Sequence, residues 1–124
     1  MSKFVKVKTE LRHASLIKRA LDDLKLTYEE SKQYTHRYSR HSEIVPFLVN
    51  APGALFGLKD GGAGVFEAIG DDMQIASLRQ VMQKIAQRYA YHMVVEETAR
   101  AGFELVEEQV GRDQVIRVTV RRWN

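Results

Sequence analysis

The sequence predicts an α+β fold: an antiparallel β-sheet with two helices packed on one face, in the order strand, helix, strands, helix, hairpin. Three observations carry this. Residues 4–8 and 116–120 alternate apolar and charged side chains, the period of a half-buried strand. Residues 13–26, and a longer stretch between Asp71 and Gly102, repeat apolar residues at helical spacing with charges opposite. The segment between these helices is broken by glycines and a proline into short strand-like runs that suit tight turns.

In "KFVKVKT", Val5 and Val7 share one face while Phe4, Lys6 and Lys8 share the other. "HASLIKRALDDLKL" sets Leu16, Ile17, Ala20, Leu21 and Leu24 on one helical stripe, and its start is poorly capped because Ser15 already lies inside the pattern. Residues 27–41 are polar and aromatic without clear periodicity and read as a strand end plus an exposed hairpin or loop. "EIVPFLVN" is strand-like, with Pro46 arguing for an edge or a bulge. In "ALFGLKDGGAGVFEAIG", Asp60-Gly61-Gly62 reads as a hairpin turn; no Gly-Lys-Ser/Thr follows, and no helix opens behind it, as a phosphate loop requires.

Asp71-Asp72 places acid at the positive end of the second helix. Leu78, Met82, Ile85 and Tyr89 form its buried stripe, and Gly102 supplies the left-handed stop. About 30 residues of helix would span roughly 45 Å, which predicts a late start or a bend. A last hairpin, "FELVEEQV" and "VIRVTVRRW", turns at Gly111-Arg112-Asp113-Gln114.

The 124 residues suit one domain, 1–124, with a single core. The absence of cysteine excludes disulfides, thiolate metal sites and a cysteine nucleophile. No run has the length of a membrane span, and the alternating N-terminus is unlike a signal peptide, so the cytoplasm is the expected location. The formal net charge of +3 is local: residues 1–41 hold ten Lys/Arg against five Asp/Glu, residues 42–124 nine against eleven. A basic N-terminal surface meets an acidic partner or merely keeps the chain in solution.

Three constellations are candidates. Tyr89, His92 and Glu96 share a helix face, the spacing of an acid–base pair or of part of a metal site. The competing reading is packing, with polar tips hydrogen-bonded where helix meets sheet. No second metal-spaced pair accompanies them, so neither metal nor cofactor is expected. In "YTHRYSRH", Tyr34, Arg37, Tyr38 and Arg40 interleave aromatics with arginines, which suits stacked bases and phosphates as well as an ordinary solvated hairpin. The third is a sheet face. If Val5, Val7, Ile116, Val118 and Val120 face the helices, then Phe4, Lys6, Lys8, Arg117, Arg121 and Trp123 face outward as one basic, aromatic surface. No nucleophile–base arrangement is legible, so a non-catalytic protein is expected: a protein-binding subunit, or alternatively a nucleic-acid-binding module, using that face or the 31–41 hairpin.

"QRYAYH", followed by "GF", a glutamate-rich strand and "RRW", resembles the C-terminal half of the hypothetical chloroplast reading frame 35 family, also called domain of unknown function 1257. "MSKFVKVKTELR" and "LIKRALDDL" are similar to its opening strand and helix. Lys3 stands where such proteins commonly have histidine, and residues 31–60 depart most from the pattern. The resemblance implies no established activity. It implies occurrence in cyanobacteria and plastids, hence a plastid stroma location where the chain is plastid-encoded. Genes of the family tend to lie near those of small uncharacterised proteins, ferredoxins or AAA-type ATPases. That implies a protein partner of such a kind, an adaptor or complex subunit, with the oligomeric state open.

Overall fold

The structure, a computed structural model, describes residues 2–112 and 115–122. β1 (Phe4–Lys8) runs into α1 (Ala14–Asp23), followed by β2 (Thr27–Thr35), β3 (Ser42–Ala51), β4 (Ala54–Asp60) and β5 (Phe66–Asp71). A single 3-10 turn, Asp72–Gln74, precedes the long helix α2 (Ile75–Arg100), and β6 (Phe103–Val110) and β7 (Ile116–Arg122) close the order. The class is α+β, and every strand pair is antiparallel. The turn expected at 111–114 and Trp123 lie partly or wholly outside the described residues.

The first five strands form one sheet in the order β1-β5-β4-β3-β2. Both helices pack on one face of it. Leu16, Ile17, Ala20 and Leu21 from α1 and Leu78, Met82, Ile85 and Tyr89 from α2 share a core with Phe47, Val49, Phe56, Leu58 and Ala68. Each of the buried Leu, Ile, Val, Met and Phe side chains among these contributes about 1.5–3 kcal/mol through apolar area removed from water.

The last hairpin differs from expectation. β6 and β7 form a separate two-stranded ribbon and do not join the main sheet. The reason is length: α2, with 26 residues, carries the chain about 39 Å along the sheet before Gly102, at φ +87°, lets it turn. The helix starts late, at Ile75, because Asp71 first caps the 3-10 turn by accepting the N–H of Met73 at 3.0 Å.

The 31–41 segment also differs. It forms a hairpin, closed by the His36 N–H donating to the His41 carbonyl at 2.7 Å, but Tyr34 and His36 are only 3% and 2% exposed. The β2–β3 ladder breaks opposite Pro46, which has no N–H to give, where Ser31 adopts φ +52°. β3 pairs with β4 only from Phe47 onward, so beyond Pro46 the β2–β3 hairpin leaves the sheet. It crosses the outer face, and Val45 lies over Gly57 so closely that a Cβ there would come within 2.9 Å of Val45 Cγ1. Tyr34, Val45 and Ile69 are buried together there, flanked by Phe4 and Leu48. Beneath the tip, Phe4 of the opposite edge strand stacks on His41 at 4.2 Å and meets His36 edge-on at 5.9 Å.

Candidate protein-docking groove

The buried stripe of α2 leaves a second stripe beside it, Arg79, Gln83, Ala86, Ala90, Met93 and Val94. Ala86 and Ala90 are too small to fill the space between the helix and β1, so a groove of about 730 Å³ opens there. Its other wall is the chain from Val7 to Leu11. That wall is fixed at both ends. The Thr9 hydroxyl donates to the Phe66 carbonyl at 2.5 Å and accepts the Leu11 N–H at 3.1 Å. The Tyr89 hydroxyl accepts the N–H groups of Arg12 and His13 at 2.9 and 3.0 Å. A smaller hollow of about 290 Å³ continues past Ala90 and Val94 to Val115, Ile116 and Val118, where the buried Gln87 side-chain nitrogen has no hydrogen-bond partner among the described residues. Val94 and Val115 are 40% and 47% exposed on this floor.

A charged knot binds α1, α2 and β6 together. Asp23 accepts from His92 Nε2 at 2.6 Å and from Arg88 Nε at 3.0 Å, while Arg88 Nη1 donates to Glu108 at 2.7 Å. Burial opposes ionisation of Asp23, but the hydrogen bonds from His92 and Arg88 outweigh it and hold its carboxyl below the usual range. Burial and the nearby Glu108 push the Tyr91 phenol up, and the Arg88 guanidinium lies over the Tyr91 ring at 4.3 Å.

The structure separates the residues expected to act together. Tyr89, His92 and Glu96 do not converge: Tyr89 is buried against the start of α1, His92 pairs with Asp23, and Glu96 lies 3.4 Å from Arg19. Among the described residues, no three His, Asp or Glu side chains are arranged to hold a metal ion. Phe4, Lys6 and Lys8 do lie on the outer face, but Phe4 and Tyr34 are engaged beneath the β2–β3 hairpin. Arg37, Tyr38 and Arg40 ring its exposed tip, with Tyr38 61% exposed. Arg117 and Arg121 belong to the β6–β7 ribbon, where Arg121 pairs with Glu104. The single basic, aromatic sheet face is therefore not formed, because the β2–β3 hairpin covers it and the last ribbon stands apart.

His36 went unnoticed as a buried group. Its Nδ1 accepts the Ser39 N–H at 3.1 Å, which leaves the ring proton on Nε2, 3.7 Å from Asp71 Oδ2. Asp71 is held low by the Met73 N–H, with His36 among the lesser causes. The groove was missed as well. Its one sequence signal is the pair of alanines, Ala86 and Ala90, one helical turn apart beside the bulky stripe.

Residues 20–119 match a family described as "Protein of unknown function (DUF1257)". The chain belongs to this family. Its relatives include three proteins described as "Uncharacterized protein ycf35". That of Pyropia yezoensis is 29% identical over 100% of this chain and 99% of its own length. Those of Cyanophora paradoxa and Guillardia theta are 25% and 28% identical over 99% of this chain and 98% of theirs. The resemblance carried by the two ends of this DUF1257 protein thus extends through the divergent middle. No solved structure is a significant match. Among the described residues, no helix is long and apolar enough to cross a membrane.

Proposed function

We propose that this DUF1257 protein is a non-catalytic subunit or adaptor that binds another protein through the groove between β1 and α2, acting in the cytoplasm or, where plastid-encoded, in the plastid stroma. The observation that supports this reading is the groove itself, open and floored by Met82, Ala86, Ala90 and Met93 beside a sheet edge. An apolar surface of this kind gains most from being covered by another chain. The nucleic-acid alternative loses support because the Phe4 and Tyr34 rings, on which bases would stack, already contact side chains of the protein's own fold.

A photo-reactive residue at Ala86, in the chain's native cells, is expected to capture one protein that mass spectrometry identifies, with or without nuclease. The partner classes implied by family resemblance, an AAA-type ATPase or a small protein encoded nearby, are the first to titrate in purified form. Ala90→Arg, which places a charge on the groove floor, should weaken that binding at least about tenfold, or 1.4 kcal/mol. Recovery of nuclease-sensitive nucleic acid alone would reverse the reading. So would a partner that is captured from Tyr38 at the hairpin tip and ignores Ala90→Arg.

A further inference from the structure

Resting on that docking reading, we infer that the groove takes an extended, acidic segment of the partner protein, which adds a strand to the free edge of β1. Among the described residues β1 has one neighbour, β5, and is an edge of its sheet. The Asp72 N–H donates to the Lys3 carbonyl at 2.9 Å, which fixes the phase of the β1–β5 ladder. Hydrogen-bonded pairs alternate along an antiparallel ladder, so Val5 and Val7, opposite Gly70 and Ala68, bond to β5. Phe4, Lys6 and Lys8 then direct their N–H and C=O groups away from it, to the free edge, which borders the groove at Lys8.

The length and chemistry of the groove fit such a strand. From Arg79 to Val94 the helix advances roughly 22 Å, the span of about six or seven extended residues. Side chains on one face of an added strand would rest on Met82, Ala86, Ala90 and Met93, which requires apolar residues at alternate positions. Those on the other face would stand beside Lys6 and Lys8. The charged lining residues are Lys8, Arg79 and Glu10, a net positive set, and neither Lys8 nor Arg79 has an ion-pair partner among the described residues. Lys6 reaches Glu67 only at 3.9 Å and is 57% exposed in its side chain. Acidic residues opposite these lysines would form the favourable cross-strand pairs of an antiparallel edge.

The probe is the peptide acetyl-Val-Glu-Val-Glu-Val-Glu-Val-amide, titrated into the full-length, isotope-labelled protein and followed by NMR, with a lysine-for-glutamate peptide as the comparison. Saturable shifts are expected at the Met82 and Met93 methyls and the Phe4, Lys6 and Lys8 amides, with those amides exchanging at least about tenfold more slowly. The lysine peptide should bind at least about fivefold more weakly, and Lys8→Glu should narrow or invert that preference. Lys6→Glu is a second variant for the same readout if Lys8→Glu disturbs the fold. No saturable binding, equal binding of both peptides, or shifts confined to the β2–β3 hairpin or β7 would overturn the inference. So would protection of the β1 amides that rises with protein concentration alone, because the occupant would then be a second copy. If the peptide fails while Ala90→Arg still disrupts the captured partner, the strand mode falls and the docking reading stands.

Discussion

The Tyr89 hydroxyl anchors the entrance to α1: it accepts the main-chain N–H groups of Arg12 and His13, the two residues just ahead of the helix. His13, at the capping position, makes no side-chain cap. Tyr89→Phe keeps the ring in the core but leaves both N–H groups without this acceptor. The expected loss is about 1–3 kcal/mol of stability in a urea titration, with an unchanged slope. A change of slope instead would mean that the variant had altered the compactness of either state. Helical spacing alone placed Tyr89 on the buried stripe and His92 one turn on. It did not reveal their partners, because Arg12, His13 and Asp23 lie more than 60 residues away in the chain.

The β2–β3 hairpin lies across the sheet because Pro46 and Ser31 break its ladder and because Gly57 leaves room for Val45. Gly57→Ala should therefore destabilise by about 1–3 kcal/mol, the usual penalty of overpacking. Val45→Ala makes a cavity of its own, but it also frees the space that the new methyl group needs. In the double variant the two losses should sum to less than their separate values. Strict additivity in denaturation measurements would show that Val45 does not lie over Gly57. Pro46 marked the irregularity in advance, and a glycine within a strand is a sign of close backbone approach. The burial of His36 was not legible, since Tyr34, His36 and Tyr38 alternate alike and only the path of the hairpin decides which are covered.

Three carboxylates join separate parts of the whole molecule: Asp23 between the helices, Glu43 between the hairpin and β4, and Asp71 at the entry to α2. Glu43 is held low chiefly by its hydrogen bond from Lys59, at 2.6 Å, and further by His41. With Asp23 and Asp71 also lowered, the folded state binds these protons less readily than the unfolded chain does. Their contribution is complete above the unfolded carboxyl values and lost as pH falls through the lower folded ones. Thermal midpoints should thus vary little with these groups between about pH 5 and 7 and fall below about pH 4. A midpoint unchanged to pH 3 would refute this account. The α+β class was legible because strand and helix periods are local. The division into two sheets was not, because alternation in residues 116–120 is the same whether a strand joins β1 or stands apart.

Lys3 and Asp72, which join β1 to the end of β5, are 69 residues apart in the chain. β2 to β5, by contrast, form a meander whose neighbours in space are neighbours in sequence. Loop-closure entropy grows with the logarithm of loop length, so seating β1 costs roughly 2 kcal/mol more than closing one of the short hairpins. β1 is synthesised before the other four strands of its sheet, yet its place there depends on nearly everything synthesised between it and residue 72. The edge that borders the groove exists only once that long loop has closed, and its contribution to contact order slows folding in return for an accessible backbone at the surface.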